Sequence, residues 1–180
     1  MSEKPNSSPK EWPAPSAAPH AAAPSSPVCY ADEMDPHYAG YLGAAELVEL
    51  LNALLEGERA GDKLARSFLE TSPSAEATTL LAAIERDEAR FAAMLERIIR
   101  RLGADPSTQT GAFYDKAMAL EGFAARLAFL NRGQSWVVRK LDAALPRIKD
   151  DRIHAALKGM RGAHEVNVAR CEALLREIPQ

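Results

Sequence analysis

Four long stretches of this chain carry apolar side chains at spacings of three and four, and each is broken near its middle by one polar residue. That spacing is the period of a helix with one buried face, so the pattern restricts the chain to long amphipathic helices packed on one another. The first stripe runs Leu47, Leu51, Leu54, Glu58, Gly61, Ala65, Phe68. The second runs Leu81, Ile84, Glu88, Phe91, Leu95, Ile98, Leu102. The third runs Phe123, Leu127, Leu130, Gln134, Val137, Leu141, Ala144, and the fourth Ile153, Leu157, Met160, His164, Val168, Cys171, Leu175, Ile178. No sustained alternation of period two occurs, so the expected fold class is all-α.

Proline sets the limits. Eight of the twelve prolines fall within the first 36 residues, and the others are Pro73, Pro106, Pro146 and Pro179. Residues 1–28, rich in Pro, Ala and Ser, cannot bury enough apolar surface to order themselves and are expected to form a disordered arm. Residues 29–43 hold Tyr30, Tyr38 and Tyr41, and are expected to lie along the folded domain without regular structure. Beyond them Ser72-Pro73 suggests an N-cap with proline at the first helical position. Gly103 with Pro106 suggests a helix end, and Asp150 or Asp151 a further cap. The expected helices are 44–71, 74–102, 121–145 and 150–178, each about 37–43 Å long at 1.5 Å per residue. The first pair and the last pair are joined by a few residues, which makes them antiparallel hairpins. Between the hairpins lie residues 103–120, with a short helical piece at Phe113–Ala119, long enough to cross the length of a bundle.

The interruptions fall at one height. Glu58 to Gln134 is 76 residues, and Glu88 to His164 is also 76. In two antiparallel hairpins these positions meet, giving a mid-bundle layer of two carboxyls, an amide and an imidazole. Asn167, three residues after His164, adds a second polar group near that level. Two buried carboxylates cost several kcal/mol each unless a metal, a shared proton or a basic partner compensates them. His164, Arg59, Arg132 and Arg161 are the candidate basic partners. Gly57, Gly61, Gly133 and Gly162 crowd the same level. Glycine inside a helix costs about 1 kcal/mol against alanine, so four of them suggest close approach or room for a ligand.

The stretches LLNALLEGERAG, ERDEARFAAML, TGAFYDKAMAL, RLAFLNRGQSWVVRKL and HEVNVARCEALL carry a resemblance to the ferritin-like superfamily, including rubrerythrin-type bundles. More narrowly, residues 44–178 resemble a bacterial family of ferritin-like domains to which no activity is attached. The resemblance implies a ferritin-like antiparallel four-helix bundle with a long crossover between the second and third helices. It also implies pairing into a homodimer, since such bundles often pair. The superfamily's di-iron pattern is Glu on the first helix, Glu-x-x-His on the second, Glu on the third and Glu-x-x-His on the fourth. Glu58 and Glu88 match the first two glutamates. Phe91 replaces the first histidine, Gln134 replaces the third-helix glutamate, and no Glu-x-x-His remains in the chain.

Two functions follow. One is a non-catalytic binding or assembly role around a degenerate centre, with a hydrogen-bonded layer that fixes helix register. The other is a mononuclear metal-dependent oxidoreductase or metal-binding protein. In that case one Fe, Mn or Zn ion is held by Glu58, Glu88 and His164, with Gln134 as a weaker oxygen ligand. The net charge of −3 and pI near 5.8 give no reason to expect nucleic acid or an anionic membrane as partner. No run approaches the roughly 18 apolar residues of a membrane span. Met1 to Pro27 lacks the apolar core of a secretory signal. With cysteines only at 29 and 171, a reduced cytoplasmic protein is the simplest expectation, a single disulfide being the alternative. Cys171, on an apolar stripe, is read as a small core residue.

Overall fold

A computed structural model describes residues 40–110 and 112–178. The expectations for residues 1–39, which take in the arm and most of the 29–43 segment with Cys29, Tyr30 and Tyr38, lie outside the described residues, as does Pro179. Among the described residues every regular element is helical. The helices are α1 (Ala44–Leu69), α2 (Ala75–Arg101), the short α3 (Phe113–Met118), α4 (Phe123–Ala144) and α5 (Asp151–Glu177), with a 3-10 turn at Leu145–Arg147 between α4 and α5. None is long and apolar enough to cross a membrane.

Local chemistry sets the ends. Glu46 reaches back from the first turn of α1 to accept a hydrogen bond from Gly43 N–H at 3.2 Å. The cap of α2 is Ser74, whose hydroxyl oxygen accepts from Ala77 N–H at 3.1 Å. That moves the start two residues beyond the expected Ser72-Pro73 pair. Ser72 instead accepts from the Thr78 hydroxyl at 2.9 Å and so belongs to the turn. Asp150 caps α5, accepting from Arg152 and Ile153 N–H at 2.8 Å each. Gly103 closes α2 at φ +78°, a conformation open to glycine at little cost.

The pairing follows the short joins. α1 packs on α2 and α4 on α5, with further contacts between α1 and α4 and between α2 and α5. The pairs α1–α5 and α2–α4 make no close backbone approach among the described residues, so each long helix has two neighbours and one opposite. The segment between α2 and α4 lies along α1. Ser107 N–H donates to Asn52 Oδ1 at 2.7 Å, near the start of α1, and the Arg59 guanidinium donates to Ser107 O. Farther on, the Tyr114 and Ser67 hydroxyls meet at 3.2 Å near the end of α1.

Most of the stripe residues bury, in two separate apolar cores, but late in α5 Asn167 and Leu174 are buried while Val168 and Leu175 are only half-buried. One holds Leu51, Leu54, Leu95, Leu141 and Leu157, among others. The other holds Leu64, Leu81, Ile84, Leu127 and Cys171, among others. Leu102 also departs from the expectation: it caps α2 at 40 % exposure.

Candidate metal centre

Between the two cores lies a polar layer. Glu58 comes from α1, Glu88 from α2, Asn131 and Gln134 from α4, and His164 and Asn167 from α5, and all six are buried. Each helix contributes because its polar residue replaces a leucine-type position on the stripe, so burial of the flanking turns carries it inward.

The contacts run across opposite helices. Gln134 Nε2 donates a short hydrogen bond to Glu88 Oε1, joining α4 to α2. His164 Nε2 stands 3.3 Å from Glu58 Oε1, joining α5 to α1, but without hydrogen-bond geometry. The other imidazole nitrogen, Nδ1, lies 3.0 Å from Met160 O. A carbonyl only accepts, so Nδ1 carries a proton, and Nε2 is the ring nitrogen turned toward Glu58. Both Glu58 oxygens, His164 Nε2, Gln134 Oε1 and Asn131 Oδ1 have no hydrogen-bond partner. Ligand atoms of Glu58, Glu88 and His164 lie within 4.8 Å of one another. His164 is the basic side chain beside the carboxyls, and none of the three arginines compensates them. Arg59 pairs with Glu96 at 2.7 Å, Arg161 with Glu165 at 2.8 Å and with Asp142, and Arg132 stacks on Phe129.

Burial pushes the Glu58 carboxyl well above the usual carboxylate range. A hydrogen bond between the Glu58 and Glu88 carboxyls, which needs a proton on one of them, acts in the opposite sense, and the Asp87 charge adds to the rise. Burial also raises Glu88, reinforced by the Glu58 charge and opposed by His164 and by the Gln134 amide. A carboxyl whose value is higher in the folded than in the unfolded chain favours folding most below its unfolded value, about 4.3, and that contribution is lost as pH rises through the folded value. Metal-free protein is therefore expected to lose stability from pH 5 to pH 8 more steeply than its Glu58→Gln variant. Urea midpoints in chelator at the two pH values measure this, and parallel profiles would contradict it.

Small residues shape the layer. A Cβ at Gly61 would stand 2.6 Å from Glu88 Cδ, so the carboxyl lies directly against the α1 backbone. A Cβ at Gly133 would stand 2.6 Å from the Phe113 ring, and one at Gly57 3.3 Å from Trp136. Gly162 differs, with nothing within 4 Å of its Cβ position, so close approach does not explain it. Phe91, three residues after Glu88, packs on the His164 imidazole at 5.6 Å between ring centroids. Asn167 turns away to donate to Asp87 Oδ2 at 3.2 Å. Asn131 was not anticipated. Its signal was present: it precedes Gln134 by three residues, as Asn167 follows His164 by three. Cys171 is a free thiol buried in the core, and burial pushes it up to about 12, in keeping with a packing role.

The profile of a protein family described as "Domain of unknown function (DUF6306)" matches residues 45–173. No curated protein and no solved structure matches the chain.

Proposed function

The chain belongs to the DUF6306 family, whose description carries no activity, and on that premise we propose that it is a ferritin-like four-helix bundle holding one divalent transition-metal ion at Glu58, Glu88 and His164. The observation that carries this reading is the set of unpartnered buried atoms: both oxygens of Glu58, at 0 % exposure, and Nε2 of His164. Buried polar groups are satisfied almost without exception, and each one left bare costs about 1–3 kcal/mol or more. A cation satisfies them together. Two carboxylates also balance its double charge, and the Nδ1 bond to Met160 O fixes the tautomer that a metal-bound imidazole needs. Two carboxylates and one imidazole suit Fe, Mn or Zn and leave positions for water or substrate. When bound, the ion supplies a Lewis-acid centre, and Fe or Mn a redox one.

One ion fits better than two. Phe91 occupies the place of a second imidazole, and α5 brings no carboxylate to the layer. Gln134 enters through its NH2 as a donor to Glu88 and so holds that carboxyl in place. A metal-free layer that serves only binding or assembly is favoured by that same bond, yet it leaves the Glu58 and His164 atoms bare.

Protein purified without chelator is expected to contain close to one Fe, Mn or Zn per chain by elemental analysis. Glu58→Ala and His164→Ala should both lose it. Metal far below one per chain, with a melting temperature unmoved by added Fe, Mn or Zn, would overturn the proposal.

A further inference from the structure

A cavity of about 440 Å³ lies between α1 and α4, outside the metal-ligand cluster but reaching Glu88 and Gln134. Its size is that of a site for a small organic molecule. We propose that it binds a small organic acid: a flat apolar body bearing a carboxylate at one end and a hydroxyl or amine donor at the other.

The cavity exists because one face of α1 has almost no side chains. Ala53, Gly57, Ala60 and Gly61 recur there at helical spacing and all line it. Phe113, Phe129 and Trp136 line it as well, with Trp136 3.3 Å from where a Gly57 Cβ would stand and the two phenylalanine rings at 4.7 Å between centroids. Aromatic walls facing a strip of bare backbone make a slot, which selects a flat apolar body.

The two ends differ. Arg132 and Arg139, seven residues apart and so on one face of α4, line the cavity and are exposed. Among the described residues no carboxylate pairs with either. Arg132 lies over the Phe129 ring with its guanidinium carbon 5.1 Å from the centroid, so one wall of the slot carries the charge. Of the two acids on the same lining, Glu56 accepts from Ser107 Oγ at 2.5 Å and Glu88 from Gln134. A guanidinium without an acidic partner beside an aromatic wall recognises a carboxylate. At the inner wall Gln134, only 2 % exposed, spends its NH2 on Glu88 and leaves Oε1 without a donor. A ligand hydroxyl or amine supplies the missing bond. The site stands on the cavity and its lining and does not require the metal.

Isothermal titration of the full-length chain, as purified, with 4-hydroxybenzoate, benzoate and 4-hydroxybenzyl alcohol tests this. 4-Hydroxybenzoate is expected to bind most tightly. Benzoate lacks the donor and 4-hydroxybenzyl alcohol lacks the carboxylate, and each should bind about tenfold or more weakly. In the Arg132→Gln/Arg139→Gln variant, whose changes are at exposed positions, 4-hydroxybenzoate should fall to the level of the neutral alcohol while the alcohol itself is unaffected. Absence of 4-hydroxybenzoate binding up to millimolar concentration, or unchanged affinity in the double variant, would overturn the proposal. Titration of chelator-treated protein separates this outcome from that of the metal site, since binding that survives metal removal belongs to the cavity.

Discussion

Metal-free Glu58→Met protein should unfold at a higher urea concentration than the parent chain, and added metal should no longer stabilise it. Glu58 is wholly buried, and neither of its oxygens has a hydrogen-bond partner. Without a cation the parent must either hold a bare charge there or keep a proton on the Glu58–Glu88 pair, and burying either costs free energy. Methionine nearly matches glutamate in volume and asks for no partner. Replacing buried ionic groups by apolar ones of similar size often stabilises by about 1–4 kcal/mol. The parent should recover the difference on binding metal, because a ligand at a hundred times its Kd adds about 2.7 kcal/mol. The order of stability is thus expected to be metal-free parent, then Glu58→Met, then metal-loaded parent, or the last two close together. A metal-free variant less stable than the metal-free parent would show that Glu58 has a role in cohesion that the orphaned oxygens deny. Urea titrations with and without chelator give all the values needed.

Two glycine substitutions should act with opposite sign. In an exposed helix interior, glycine to alanine gains roughly 0.5–1 kcal/mol, because the unfolded chain loses freedom and the helix gains a better former. Gly162→Ala should show that gain, since nothing lies within 4 Å of the added carbon. Gly61→Ala should instead cost about 1–3 kcal/mol, the usual range for overpacking. Its Cβ would meet Glu88 Cδ and Oε2 at 2.6 Å and Oε1 at 2.8 Å. Glu88 has little room to retreat, being buried and held by Gln134. The same change should weaken metal binding, because it displaces a proposed ligand. Equal gains at both positions would mean that the Glu88 carboxyl does not rest on the α1 backbone.

The helices and the layer were legible because burial repeats with the helical period. One polar residue on each stripe, at equal offsets, is enough to bring Glu58, Glu88, Gln134 and His164 together. What was not legible depends on distances between helices. Nothing in the spacing shows that Gly61 accommodates Glu88 whereas Gly162 accommodates nothing, or that Trp136 and Phe113 enclose a slot against bare backbone. The arginines named as partners for the layer reach Glu96, Glu165 and the Phe129 ring instead, because their length lets them stay near water. Ser72 and Ser74 flank Pro73 and have the same capping chemistry, so spacing alone does not separate them, and Ser74 is the cap. Asn131 was passed over because a single stripe per helix hides the row beside it.

The division of the interior into two apolar bodies by a polar sheet of side chains has an evolutionary consequence. The leucines around Leu95 and those around Leu81 belong to different clusters, so compensating changes of volume have to be found within one half. Substitutions in opposite halves, lacking shared partners, should add in their effects rather than compound. Each half can therefore drift as a separate lineage of packing solutions, while the residues between them answer to chemistry alone.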